Sequence, residues 1–430
     1  MRSLLVHAEG IYVEQGGKGD VMSRRDLLAE AMQDKEQIVQ DRRMLHRHPG
    51  TGFDIPFSVE YVTNALKAMG YEPRQCGKAG IIALAGGKKK GKVFLIRGDM
   101  DALPIQEDSG EEFSSEVRGK MHACGHDNHT AMMLEAARLL KRHEEEICGT
   151  VKLMFQPAEE IFLGAEDMLQ AGVLENPHVD AAMMLHVFAG VPIPTGTVLT
   201  SAAGVSMASC DFFHITVKGK GGHGSAPSSA VDPIVPAAAM VQAIQEIQTR
   251  ELAVDDEAVL TVGYFQAGNA NNVIPDEAMF GGSLRTFDEK VREKIKVRVG
   301  EMIPSLGKAY RVETGVAWSN SCPTLVNDAE LARCIPVYLK EMLGDSGCLT
   351  PQDIEAMMPA GQKMSKSAGS EDFGFVSHEV PTLAIMIGAG MPREGYRYTQ
   401  HNAKVRFDER CLPIGAASYV QAAMRYLEEH

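Results

Sequence analysis

A chain of 430 residues is longer than one ordinary hydrophobic core supports, so two domains, or one domain with a large insertion, are expected. Hydrophobic residues make up 44% and charged residues 23%, as in soluble globular proteins, and the net charge of −14 argues against nucleic acid and anionic membranes as main partners. The eight cysteines are scattered without a CxxC pair, and neither a secretory signal nor a membrane-length apolar run is visible, so reduced thiols and a cytoplasmic location are expected.

Residues 1–23 read as a polar leader. Arg24 to His48 carries helical periodicity through Leu27, Leu28, Ala31, Met32, Ile38 and Met44, and stops at Pro49-Gly50. Val59 to Met69 is a second amphipathic helix, ended by Gly70. Ile81 to Ala85 and Val93 to Ile96 are short apolar strands, Thr130 to Leu140 an apolar helix, and Val151 to Phe155 and Ala181 to Val187 further strands. Strands alternating with helices predict an α/β domain with a largely parallel central sheet flanked by helices.

The texture changes near Met207. A strand through DFFHITVK, a helix over Pro233 to Arg250, strands at Ala258 to Gln266 and Ala278 to Thr286, a helix over Glu289 to Pro304 and a strand at Tyr310 to Trp318 follow in turn. That order fits an α+β sandwich of the ferredoxin-like type. Thr382 to Gly388 is then a buried strand and Leu412 to Leu427 a closing helix. The expected organisation is a catalytic domain of residues 24–206 and 322–430, interrupted by an inserted domain of residues 207–321.

Three histidines, a cysteine and an aspartate crowd MHACGHDNH, residues 121–129. Thiolate and imidazole suit zinc, and also manganese, cobalt or nickel. Gly125 would let the backbone turn so that Cys124 and His126 face one ion. A polar helix cap with buried histidines is the bland alternative, and it does not account for so dense a cluster. Glu159-Glu160 follows the strand VKLMF, at the edge where open α/β sheets place ligands. Adjacent carboxylates repel, so one can bind an ion while the other takes a proton from water. His186 ends another strand and His401 follows a turn-rich stretch. With the cluster and the glutamate pair they complete a plausible two-metal ligand set. Asp99 and Asp101 fall on one face of an extended segment and suit an orienting role behind the histidines.

The segments GDMDALP (98–104), CGHDNHTAMML (124–134), FQPAEE (155–160), GKGGHGSAP (219–227), NVIPD (272–276), GSLRTFD (282–288), GSEDFG (369–374) and His401-Asn402 resemble, in order, the M20 metallopeptidase family. The nearest likeness is to its N-acyl-amino-acid amidohydrolase branch, which includes hippurate hydrolase and plant auxin-conjugate hydrolases. The likeness runs from about Arg24 to the C-terminus. It implies a catalytic domain with an inserted lid or dimerisation domain, a homodimer or dimer-based assembly, and two divalent ions per subunit. It implies metal ligands Cys124, His126, Glu160, His186 and His401, with Glu159 as the base and Asp101 as a supporting carboxylate. It further implies that His223 stabilises the oxyanion, often across a dimer, and that Asn272 and Arg285 position the substrate. One departure is visible: the family usually has HPETGF, and this chain has His48-Pro49-Gly50-Thr51-Gly52-Phe53.

The activity implied is hydrolysis of a small N-acyl amino acid by a metal-activated water. A dipeptidase or carboxypeptidase of the same fold is the neighbouring possibility; the cysteine in CGHD favours deacylation, since peptidase branches usually have aspartate there. A non-catalytic binder would have no need of both Glu159 and Glu160.

Overall fold

The computed structural model describes residues 26–358 and 366–430; the expected leader and the first two residues of the expected Arg24–His48 helix lie outside them. In the central sheet, Val93–Asp99 is buried along its whole length, with Phe94 and Ile96 in one core and Val93 and Leu95 in the other. Thr150–Gln156 divides likewise, Val151, Leu153 and Phe155 to one side and Met154 to the other. Strands apolar on both faces need cover on both sides.

The sheet has eight strands, in the order Arg74–Cys76, Gly80–Gly86, Thr150–Gln156, Val93–Asp99, Ala181–Phe188, Thr382–Gly388, Val198–Thr200 and Cys348–Leu349. The middle four are parallel to one another, and antiparallel pairings flank them. Val93–Asp99 and Ala181–Phe188 pair only as far as Arg97 and Met184, then part at their carboxyl ends. Other groups take over the freed amides. The Leu185 N–H donates to Tyr419 Oη at 3.0 Å, and the Val187 N–H to His129 Nε2 at 2.9 Å. Tyr419, on the closing helix Leu412–Glu429, in turn donates to the Arg97 carbonyl at 2.7 Å. The splayed strand ends open a crevice of the kind in which α/β sheets hold ligands.

A second, four-stranded antiparallel sheet has the order Ala258–Ala267, Glu277–Thr286, Cys210–Lys218, Glu313–Cys322. With helices Ile234–Glu246 and Glu289–Tyr310 it has the ferredoxin-like order, and its core is built on Phe213, Ile215, Val217, Ile295, Val299 and Ile303. Short strands Gly204–Met207 and Leu325–Asn327 pair antiparallel where the chain enters and leaves this unit.

Several element boundaries differ from expectation. The first helix is two, Leu27–Gln33 and Lys35–Arg47, separated at Asp34, whose carboxylate is drawn to Arg142 on a neighbouring helix. The apolar helix begins at His126 rather than Thr130. Ile234–Glu246 ends in a π-helical turn, Ile247–Glu251. Glu289–Tyr310 runs past Pro304, because Ile303 and Gly307 continue the buried row of Val291, Ile295 and Val299; packing outweighs the one hydrogen bond proline removes, and the next strand is delayed to Glu313.

Candidate active site

Gly125 stands at φ +100°, and a Cβ there would lie 2.5 Å from Val187 Cγ2 and 3.0 Å from the Phe407 ring. This left-handed residue sets Cys124 before the helix and His126 in its first turn. His126 Nδ1 donates to the Asp101 carbonyl at 2.8 Å, which leaves Nε2 facing inward with a lone pair. His186, on the neighbouring strand, is fixed the same way by Nδ1 donation to the Val187 carbonyl at 2.7 Å, and its Nε2 stands 3.4 Å from Cys124 Sγ.

Glu159 and Glu160 lie on the 3₁₀ turn Glu159–Ile161, between Ala158 at φ 56° and Phe162 at φ 54°. Left-handed backbone costs a non-glycine residue about 1–2 kcal/mol. Asp101 holds the turn in that shape: its carboxylate accepts the Glu159 N–H at 3.0 Å and the Glu160 N–H at 3.2 Å. His401, also left-handed at φ 63°, is anchored by its N–H on the Ala123 carbonyl at 2.9 Å. Its Nε2 lies 3.6 Å from Glu160 Oε2, and Glu160 Oε1 lies 3.7 Å from His126 Nε2.

Donor atoms within 4.8 Å of one another form the sets Cys124, His126, His186 and Cys124, Glu160, His401, sharing the thiol; a third joins His126 to Glu159 and Glu160. His126 Nε2 and Glu160 Oε1 are buried with no hydrogen-bond partner in the structure. Buried polar atoms without partners are costly, and these two point at one place. Burial, with Glu371, Glu160 and Asp372 nearby, pushes the Glu159 carboxyl well above the usual range. Burial raises Glu160 to about 7, and burial and Glu160 raise the Cys124 thiol. Burial lowers His186 well below an ordinary imidazole. His126 goes the other way: against the penalty of burial, Asp99, Asp101 and Glu160 raise it to about 10, so the carboxylates around it call for a positive charge. Anionic donors that cannot ionise unaided, beside the neutral imidazole of His186 and a ring placed where a cation is favoured, fit divalent cations.

Some participants carried no assigned role in the sequence. His129 donates to Asp99 at 2.5 Å. Arg97 reaches Asp99 at 2.7 Å and Glu371 at 2.7 Å, and Asp372 accepts the Ala165 N–H at 2.9 Å. Against the penalty of burial, Arg97, His126 and His129 hold Asp99 well below the usual carboxylate range. Glu371 and Asp372 belong to GSEDFG, a motif visible in the sequence, but only folding brings it beneath Glu159.

Three expected residues stand apart from the cluster. His223 lies on the ribbon of Gly222–His223 and Val273–Ile274, and Asn272 in the turn just before Val273, its carbonyl accepting the Gly224 N–H at 2.8 Å. Among the described residues no hydrogen bond or ion pair links either to the cluster. His223 is exposed, and its Nδ1 accepts the Ser225 N–H at 3.1 Å. Arg285 donates from Nη1 to the Ala368 carbonyl at 2.9 Å and to Ser370 Oγ at 2.8 Å. Asp288, its nearest acidic residue in sequence, instead caps the following helix.

Thiol, imidazole and carboxylate donors converging where parallel strands end, with a spare buried glutamate beside them, define a metal-dependent hydrolase. The chain belongs to peptidase family M20/M25/M40, whose profile matches residues 95–425. It is thereby a hydrolase acting on amide bonds, and its likeness to the N-acyl-amino-acid amidohydrolase branch extends over nearly the whole chain. IAA-amino acid hydrolase ILR1-like 2 of Arabidopsis thaliana is 34% identical, over 91% of this chain and 85% of the relative. N-acetylcysteine deacetylase of Bacillus subtilis is 32% identical, over 91% and 97%. Thermostable carboxypeptidase 2 of Saccharolobus solfataricus is 33% identical, over 91% and 96%. Among solved structures, one from methicillin-resistant Staphylococcus aureus superposes with a TM-score of 0.82 at 32% identity, covering 94% of this chain and 99% of its own. A Bacillus subtilis dinuclear metal-binding peptidase of family M20 superposes with a TM-score of 0.73 at 30% identity, covering 92% and 99%.

Proposed function

We propose that this chain hydrolyses N-acyl-L-amino acids to a carboxylate and a free amino acid. Cys124, His126, Glu160, His186 and His401 would hold two divalent ions, zinc, manganese, cobalt or nickel, and Glu159 would act as general base and then acid. The observation that carries this is the pair of buried, partnerless atoms, His126 Nε2 and Glu160 Oε1, beside a glutamate whose amide is pinned by Asp101.

When bound, the ions would lower the pKa of water and polarise the acyl carbonyl. The protein's own part is to place and protonate. The Asp101 and Val187 carbonyls fix the His126 and His186 rings so that each Nε2 faces the site. Asp101 also holds the glutamate turn through its carboxylate. Glu159 would take one proton from a water molecule as the water's oxygen bonds to the acyl carbon. It would return that proton to the amide nitrogen as the C–N bond breaks and the amine leaves.

Residues 207–321 would serve as a lid and dimerisation domain. On it Asn272 and Arg285 would position the amino-acid half, and the exposed His223 would support the oxyanion in a partner subunit. A reducing cytosol suits the eight unpaired thiols.

A second possibility, cleavage of a free peptide, has support in the 33% identity to a carboxypeptidase. The test is a substrate panel of N-acetyl, N-benzoyl and indoleacetyl amino acids beside dipeptides, assayed with each metal. Turnover confined to dipeptides would replace the proposal.

A further inference from the structure

Arg97 takes no part in the chemistry above, yet it is buried to 1% exposure beneath the site. Its guanidinium meets four partners. Nε donates to Gln156 Oε1 at 2.8 Å, Nη1 to Asp99 Oδ2 at 2.7 Å, and Nη2 to Glu371 Oε1 at 2.7 Å and to Asp372 Oδ1 at 3.2 Å. Burying ion pairs is expensive, and well-packed apolar groups are often as stable, so stability alone does not account for this arrangement.

The connections lead to the glutamate turn. Asp372 uses its second oxygen to accept the Ala165 N–H at 2.9 Å, in the helix Gly164–Gln170 that directly follows the turn. Asp101 therefore holds the front of the turn, and Asp372 holds the segment behind it. Glu371 and Asp372 each present an oxygen within 4.8 Å of a Glu159 oxygen. Three buried carboxylates so close repel one another, and the planar fork of Arg97 is what binds two of them side by side. The same fork grips Asp99, which orients His129 at 2.5 Å.

We infer that Arg97 is a positioning residue: through Glu371 and Asp372 it fixes where the Glu159 carboxylate stands relative to the metal ligands, without touching substrate. This rests on Glu159 being the base. It assigns a purpose to GSEDFG, and it makes catalysis depend on the shape of the guanidinium as well as its charge.

The test uses the full chain loaded with metal and three variants: Arg97→Lys, Glu371→Gln, and Arg97→Met combined with Glu371→Gln. Melting temperature, bound metal, kcat and KM are measured with N-acetyl- and N-benzoyl-L-amino acids. Arg97→Lys and Glu371→Gln should fold, bind metal as the wild type does and keep KM within about threefold. Their kcat should fall by about 10²-fold, the scale of a 1 Å misplacement. Glu371→Gln leaves buried positive charge in excess and should melt lower; the double variant removes one charge of each sign and should recover that melting temperature without recovering kcat. A kcat that returns with the melting temperature, or a wild-type kcat in Arg97→Lys, overturns the inference. So does failure of all three variants to fold, which would make the cluster part of the core and nothing more. A wild type silent on acyl amino acids counts against the proposed function instead; the same kcat ratios are then read on dipeptides, and they decide the role of Arg97 independently.

Discussion

Glu159 and Glu160 are chemically identical neighbours, and their surroundings separate them. Both approach His126 Nε2, Glu160 at 3.7 Å and Glu159 at 3.9 Å, but Glu160 also faces His401, whereas Glu159 faces Glu371 and Asp372. Glu159→Gln should therefore keep its metal and lose about 10²–10⁴-fold in kcat, the usual cost of a missing general base. Glu160→Gln should instead lower metal content, measured by elemental analysis of the purified protein. A Glu159→Gln enzyme running near the wild-type rate would reverse these roles. Arg285 is the other residue whose environment reshapes its prospects. One of its nitrogens is already engaged by Ala368 and Ser370, so a substrate carboxylate must share the guanidinium with that loop. Arg285→Ala should lower kcat/KM by about 10–100-fold, from the ~1.5–3 kcal/mol of a charge-assisted hydrogen bond. Arg285→Lys should be nearly as poor, because an ammonium lacks the fork. Equal turnover of an N-acyl amino acid and its amide by the wild type would remove this contact.

Two short elements carry the site, and both depend on unusual backbone. The turn into helix His126–Arg142 rests on Gly125, where alanine would be left-handed and would strike Val187 and Phe407. Gly125→Ala should cost about 1–2 kcal/mol for the backbone and about 1–3 kcal/mol for overpacking. More tellingly, it should weaken metal binding by swinging Cys124 away from His126. Calorimetric melting and metal titration measure the two effects separately, and a variant that binds metal normally would show that the turn is not needed. The glutamate turn is held by contacts from elsewhere: Asp101 from one strand end and Asp372 from a segment some two hundred residues away, as the Ala165–Asp372 bond shows. That difference explains what was visible in advance. Gly125 announces a turn in any sequence, whereas nothing local says that Ala158 and Phe162 will be left-handed.

At the scale of the molecule, the proposal makes metal and assembly the variables to test. Ions that bind only the folded state stabilise it, by about 2.7 kcal/mol at a hundredfold excess over Kd. Dialysis against a chelator should lower the melting temperature and abolish turnover together, and one divalent ion should restore both. Full activity in metal-free protein would end the proposed mechanism. The four-stranded sheet ends on an edge strand, Ala258–Ala267, that leaves Val259 54% and Phe265 42% exposed. Open apolar edges invite pairing with another chain. A dimer is therefore expected by light scattering at micromolar concentration, and Phe265→Lys should shift the mass toward monomer. A wild-type monomer would leave the exposed His223 without a site to serve.

What the amino-acid order settled by itself was periodic and local. Continuous apolar runs marked Val93 to Ile96 and Val151 to Phe155 as strands of a largely parallel sheet, and the crowding of Cys124 and His126 in residues 121–129, with the pair Glu159-Glu160, marked the chemistry, because a side chain's type and its neighbours in sequence suffice for both. What only the tertiary structure decided was which distant groups meet. Asp34 divides a helix whose periodicity looks unbroken, since its partner Arg142 lies far along the chain. The row that ends at Gly307 carries a helix through Pro304 because a sheet waits to be covered. Arg97, an ordinary arginine in sequence, becomes the counter-charge to Asp99, Glu371 and Asp372 only when strand and loop converge, for electrostatic pairing acts through distance in space and leaves no period in the sequence.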